Sequence, residues 1–327
     1  MSKTLLVIIL LLPFSMVAQN LKAHKKALKL MGCSFEITAI AENDTTAWEA
    51  IRAGIAEIER IEKLISSWDK DSQTTEINDH AGIHPVKVDK ELFDLIIRAT
   101  KVSQLTSGAF DISYASMDRI WKFDGSMTQM PSPEIVKNAA ANINWENILL
   151  DTEQQTVFLK EPGMKIGFGG IGKGYAANRA KKIMQQFAIA GGVVNASGDL
   201  ITWGENEKAQ DWTIKIADPK DKSRVLGILN INRLAIVTSG DYERFVVFDG
   251  QRFAHIIDPR TGYPTTGIKS VTIVCPDAEL ADALATSVFV LGKEKGMELV
   301  NKIKNVECLM VTDQDEVITS KKLKFEN

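Results

Sequence analysis

Cysteine is scarce in this 327-residue chain: there are three, and Cys33, Cys275 and Cys308 lie far apart with no CxxC or Cys/His spacing. An odd count without such spacing argues against a sulfur-ligated metal. Their strand-like apolar neighbourhoods predict buried free thiols. Excess positive charge is also missing, because 39 Lys and Arg face 42 Asp and Glu for a net charge of −3. A nucleic-acid partner is therefore not expected, since no electrostatic footprint for a polyanion exists. Nor is there an uninterrupted apolar run of about 20 residues, the length a spanning helix needs.

The apolar block Leu5 to Leu12, after Lys3 and before Ser15-Met16-Val17-Ala18-Gln19, instead has the build of an export signal cut near Ala18 or Gln19. Residues 1–19 are thus expected to be a signal and 20–327 one large domain in an exported protein. Leu30-Met31-Gly32-Cys33 has the look of a lipoprotein box, but Lys22, Lys25, Lys26 and Lys29 separate it from the apolar block. With 45 % hydrophobic and 25 % charged residues, the chain has the composition of a folded domain with a substantial core.

Periodicity supplies the elements. Ser34 to Ile40 alternates as a strand. Trp48, Ile51, Ile55, Ile58, Ile61 and Ile65 mark one face of a long helix, with Asp44 or Thr45 as its cap. A polar stretch from Ser66 to Gly82 holds Trp68, which is either a lid onto the core or a stacking surface for a ring. A second helix runs from Asp89 to Thr106 and stops at Gly108. Ala109 to Ser116 then gathers hydroxyls around Asp111, a loop suited to a polyhydroxy or phosphate ligand or, equally, a turn packed on Trp121. A short helix is expected after Pro133, with strands at 148–150, 157–159 and 165–166.

The last of these runs into Gly167-Phe168-Gly169-Gly170-Ile171-Gly172-Lys173-Gly174 and a helix reaching Phe187. Such a loop lets backbone approach a ligand and aims N–H groups at an anion. Its spacing matches neither the dinucleotide fingerprint nor the Walker pattern. Strands at 192–196 and 235–237 each end in Ser-Gly-Asp, at 197–199 and 239–241, as though two matching loops share one rim.

Phe245 to Phe248 and Phe253 to Ile257 flank Asp249-Gly250, a hairpin signal. The second strand breaks at Asp258-Pro259, gathering His255, Asp258 and Arg260 at one end, with Asp258 a candidate to orient the imidazole. By itself this turn reads more readily as scaffold than as site. After a strand at 270–275, a helix from Ala278 to Leu291 carries Asp282 and Thr286 four apart on one face. That oxygen pair suits a hard cation such as magnesium, or an internal hydrogen bond. A short helix from Lys293 and strands at 308–311 and 316–319 close the chain.

Taken together and in order, Leu30-Met31-Gly32, Gly108-Ala109-Phe110-Asp111, the loop at 170–177, Asn195 to Asp199, Thr238 to Arg244, His255 to Gly262 and Ala281 to Thr286 resemble the ApbE-type FAD:protein FMN transferases. The resemblance implies an α+β, tunnelling-fold-like architecture of mixed sheets with packed helices. It also implies a magnesium-dependent enzyme that splits FAD and attaches FMN to a Thr or Ser of an acceptor protein. That acceptor would be a redox-driven pump or electron-transfer subunit in the periplasm or on the outer face of the inner membrane.

By the same resemblance Met31, Trp68, Ala109, Phe110, Asp111, Lys173 and Ile257 contact FAD. Gly170 (through its carbonyl), Asp282 and Thr286 hold Mg2+, and His255 activates the acceptor hydroxyl. The chain departs from the pattern at Gly167, where many relatives are acidic, and at Ile112-Ser113-Tyr114-Ala115, where many have Pro-Thr-Val-Gly. Two other activities would use the same residues: an FAD pyrophosphatase releasing FMN and AMP, and a non-catalytic FAD-binding protein.

Overall fold

The computed structural model describes residues 20–219, 221–241 and 245–323, so the export-signal segment lies outside the described residues. Strands β1 (Lys22–Leu30) and β2 (Cys33–Ala41) form a hairpin through Met31-Gly32, both in the left-handed region. The lysine-rich β1, which alternation did not reveal, is an edge strand, and its exposed lysines keep that edge soluble. Helix α1 (Asp44–Ile65) follows. Its cap is Asn43, whose Oδ1 accepts from the N–H groups of Thr45 and Thr46, rather than Asp44 or Thr45. Ile51, Ile58, Ile61 and Ile65 are buried, while Trp48 at the first turn stays partly exposed.

The polar stretch after α1 contains a helix that the periodicity did not show, α2 (Gln73–Asp79), capped by Ser72. Next come β3 (Val86–Lys87), α3 (Lys90–Leu105), α4 (Pro133–Ala139), β4 (Ile148–Asp151) and β5 (Thr156–Leu159). Residues 165–166 form no strand. Asn78 of α2 takes the part of a strand partner, accepting from the Ile166 N–H at 2.7 Å and donating to the Ile166 carbonyl at 3.0 Å. This side-chain clamp fixes the approach to the glycine loop.

Helix α5 (Gly172–Met184) leads to β6 (Gly191–Ala196), β7 (Asp199–Gly204), β8 (Trp212–Asp218), β9 (Asp221–Ile231) and β10 (Ala235–Gly240). The hairpin β11 (Phe245–Phe248) and β12 (Gln251–Ala254) turns at Asp249-Gly250, as its sequence predicts. Both turn residues have positive φ, which glycine accepts freely and aspartate tolerates. The chain ends with β13 (Ile268–Cys275), α6 (Ala278–Lys302), β14 (Glu307–Thr312) and β15 (Val317–Thr319). Gly292, at φ 75°, breaks α6 where the sequence divides it.

Eight strands make one sheet in the order β1-β2-β6-β7-β10-β13-β14-β15. Its pairings are antiparallel. One face carries the main core, where Phe35, Ile37, Val237, Val271 and Ile273 meet α1, α5 and α6. The opposite face carries Leu200, Ile236, Val274, Leu309 and Val311. The β8–β9 hairpin covers that face with Ile216, Leu229 and Ile231, giving the sheet burial on both sides. This is the expected α+β class. Cys275 and Cys308 are buried free thiols, and burial pushes each up to about 12. Cys33 is only half-buried. No helix among the described residues is long and apolar enough to cross a membrane.

Helices α5 and α6 cross in close contact at Gly174, where a Cβ would lie 2.0 Å from the Ala278 carbonyl oxygen. Backbone cannot yield there as a flexible side chain would. Gly174→Ala is expected to cost about 2–3 kcal/mol, the scale of overpacking a rigid contact. Chemical denaturation measures it, and an unchanged midpoint would show that the helices separate freely.

Candidate functional site

The carboxyl-terminal ends of β6 and β10 and the start of α5 meet at one rim of the sheet. Both Ser-Gly-Asp triplets lie on this rim, but they differ in conformation. Ser197-Gly198 is a tight hairpin turn with positive φ at both residues, whereas Ser239-Gly240 continues β10 in extended form. They share a position, not a structure, so the triplets are not matching loops.

Between them Asp199 and Asp282 face one ammonium. Lys173, in the first turn of α5, pairs directly with Asp199 Oδ2 and lies 3.9 Å from Asp282 Oδ1. The other oxygen of each carboxylate is held by backbone. Thr238 N–H donates to Asp199 Oδ1 at 3.1 Å and Gly174 N–H donates to Asp282 Oδ2 at 3.0 Å. The anion at the start of α5 is therefore in part the protein's own Asp282, which takes an N–H group that the glycine loop offers. Burial raises the Asp282 carboxyl to about 6, with Lys173 opposing that shift and Asp199 adding to it. Burial works against the Lys173 charge, yet Asp282 and Asp199 outweigh it and hold the ammonium above the ordinary lysine value.

Thr286 lies one turn beyond Asp282 on α6, and Gly170 abuts it, since a Cβ on Gly170 would sit 3.2 Å from Thr286 Oγ1. A buried carboxylate and a hydroxyl of α6 thus lie against the Gly170 backbone, and oxygens of this kind fit magnesium. Among the described residues no cluster of three or more His, Cys, Asp or Glu offers an all-side-chain cage. A cation here would draw on the carbonyl and hydroxyl as well, keeping positions for substrate oxygens.

Lys173, Asp199, Asp282 and Thr286 line a cavity of about 610 Å³, which β8 closes with Ile214 and Ile216. A second cavity, of about 860 Å³, is walled by Trp68, Tyr114, Arg119, Phe123, Lys165 and Ile257. His255 lines both. Its turn is seated on a small separate core of Trp121, Val136, Val246, Phe248 and Ile257, and Trp121 Nε1 donates to the Gly262 carbonyl at 2.9 Å. Phe123 meets the imidazole edge-on with centroids 6.4 Å apart.

Two expectations are corrected in this turn and its neighbourhood. Asp258 does not orient His255; its carboxylate is taken by Arg260 Nε and Nη2 at 2.8 and 2.7 Å. Residues two apart on a tight turn meet more easily than residues three apart on an extended run. Trp68 is no lid onto the core. It is 78 % exposed, with the Arg119 guanidinium 4.9 Å from its ring.

The first part of the hydroxyl-rich loop, residues 109–113, is turned inward, whereas Tyr114 faces the second cavity. Ala109, Phe110 and Asp111 are buried behind the cavity walls. Asp111 accepts from Ser113 N–H and Oγ at 2.7 and 2.6 Å and from Trp145 N–H at 2.9 Å. Burial raises its pKa against these bonds. These polar groups satisfy one another, as buried polar groups must. Met31, at the β1–β2 turn, packs towards Gly172, with its Cε 3.6 Å from where a Cβ there would be. Sequence reasoning missed Asp199 as Lys173's partner and the β8 wall. Only the Ser-Gly-Asp repeat signalled the first.

The raised Asp282 carboxyl has a pH consequence. The folded state holds its proton up to about 6, whereas the unfolded chain releases it near 3.8. Unfolded protein therefore binds fewer protons in that window, and metal-free stability falls as pH rises through it. Asp282→Asn is expected to raise metal-free stability by up to roughly 3 kcal/mol above pH 6 and to change little below pH 4. Melting curves of both proteins from pH 4 to 7 decide it; parallel curves would contradict the assignment.

Residues 31–310 match the model of the ApbE family. A FAD:protein FMN transferase of Klebsiella pneumoniae (strain 342) is 33 % identical over 265 residues, covering 80 % of this chain and 82 % of that protein. The crystal structure of the ApbE protein from Thermotoga maritima superposes with a TM-score of 0.82 at 32 % identity, covering 92 % of this chain and 97 % of the other. The flavin transferase ApbE from Vibrio cholerae gives 0.79 at 26 % identity, covering 92 % and 98 %. Family match, sequence identity and superposed fold agree over nearly the whole described chain, and this protein belongs to the ApbE family.

Proposed function

We propose that this protein is an exported, magnesium-dependent FAD:protein FMN transferase that modifies a Thr or Ser of an acceptor protein outside the cytoplasm. The observation that carries this reading is the place of His255 in the wall between two cavities, one with the Lys173, Asp282 and Thr286 cluster and one with exposed aromatic walls. Two cavities meeting at one histidine suit a two-part substrate cleaved at its middle. The relatives' name and the family match supply the chemistry.

In the reaction the acceptor hydroxyl attacks the phosphorus of the FMN half of FAD. A new P–O bond forms, the bond to the AMP oxygen breaks, AMP leaves, and the hydroxyl proton passes to the His255 imidazole. Lys173 places a positive charge beside the pyrophosphate. Gly170, Asp282 and Thr286 would hold magnesium, whose charge neutralises phosphate oxygens when it is bound. Trp68 and Ile257 share the second cavity and are the contacts on offer to a flavin ring. Met31 and Ala109 to Asp111 support the pocket from behind.

Purified protein, FAD, magnesium and an acceptor domain bearing a suitable threonine should give a covalent fluorescent flavoprotein. Free FMN and AMP without protein-bound flavin would indicate a pyrophosphatase, and intact FAD would indicate a binding protein. His255→Ala is expected to lower transfer by about 100-fold or more, the scale of a lost general base, with FAD affinity largely kept. Equal loss of both would assign His255 a structural role.

A further inference from the structure

Asp199 plays no part in the transfer chemistry proposed above, yet it is buried, only 6 % exposed, and joined to the cluster at both oxygens. The backbone of β10 fixes Oδ1 through the Thr238 N–H, and Oδ2 takes the Lys173 ammonium. Asp282 is built as its mirror image, with Oδ2 fixed by the Gly174 N–H and Oδ1 turned towards the same ammonium. The two carboxylates thus compete for one cation, and the lysine makes its hydrogen bond to Asp199 while its 3.9 Å approach to Asp282 Oδ1 is a looser ion pair. An ammonium seated on Asp282 Oδ1 would occupy an oxygen that a divalent ion needs and would repel that ion at short range.

We propose that Asp199 is a positioning residue: it holds the Lys173 ammonium out of hydrogen-bond contact with Asp282, keeping the Asp282 and Thr286 oxygens open to a divalent cation. The inference rests on the cation reading of that oxygen set. Removing the Asp199 charge frees Lys173 to close the 3.9 Å gap to Asp282 Oδ1. Cation affinity then falls although no proposed ligand has changed. Removing the lysine as well takes away the competitor.

The test uses full-length mature protein without FAD, titrated with Mn2+ as a spectroscopic substitute for magnesium and with Mg2+ by calorimetry. Asp199→Asn is expected to weaken binding about 10-fold or more, and the double variant Asp199→Asn/Lys173→Gln to return it to within about threefold of the wild type, the two substitutions being coupled through one contact. A double variant as weak as Asp199→Asn would overturn the inference and make Asp199 a ligand instead. Unchanged affinity in Asp199→Asn would overturn it as well. A crystal structure of metal-free Asp199→Asn gives a second readout: Lys173 Nζ should close from 3.9 Å to hydrogen-bond contact with Asp282 Oδ1, about 2.8 Å, and an ammonium left beside residue 199 would refute the tether. If the wild type binds neither ion, the cation reading itself fails, while that crystal structure still decides where Lys173 goes. Circular dichroism and melting curves confirm that each variant is folded.

Discussion

The crossing of α5 over α6 governs the rest of the molecule. At Gly174 the helices approach until backbone touches backbone, and Asp282 uses that proximity to accept the Gly174 N–H. A helix start carries unsatisfied donors and partial positive charge, and a carboxylate from a neighbouring helix answers both. The same contact sets Lys173 over the sheet rim and brings the glycine loop against Thr286. A side chain at position 174 would push α5 outward and take the lysine, the loop and the capped carboxylate with it.

Around this crossing the protein keeps its charges paired inside low-dielectric surroundings, where an unpaired charge is costly. A second network ties the outer faces of the same helices. Arg60 bridges Glu57 of α1 and Glu91 of α3, Arg179 of α5 reaches Glu57, and Arg98 of α3 holds Glu279 at the start of α6. Tyr175, two residues beyond Lys173, donates its hydroxyl to Glu91 at 2.6 Å. Helices α1, α3, α5 and α6 are therefore linked to one another by charge as well as by packing.

Much of this was readable beforehand. The order of motifs from Met31 to Thr286 pointed to the family, and the spacing of Asp282 and Thr286 placed both on one helical face. Alternation around Asp249-Gly250 yielded the hairpin, although its second strand ends at Ala254, one residue before His255, rather than running on to Ile257. Less was readable where the sequence lacks period or contrast. The lysine-rich β1 alternates weakly because it is an edge, whereas Trp212-Thr213-Ile214-Lys215-Ile216 of β8 alternates as a strand buried on one side does, and only its place against the sheet was hidden.

The sequence by itself determined the local geometry: helix faces, turn residues, strand ends and the residue types available for chemistry. These follow from the 3.6- and 2-residue periods and from the allowed φ of glycine and proline. Tertiary structure alone decided which of those residues pair. Asp199 went to Lys173, Asp111 to the Trp145 N–H, and Asp282 to a backbone N–H 108 residues earlier. Partners so distant in sequence are set by where the sheet and helices bring them, and a buried carboxylate takes the nearest donor that packing supplies.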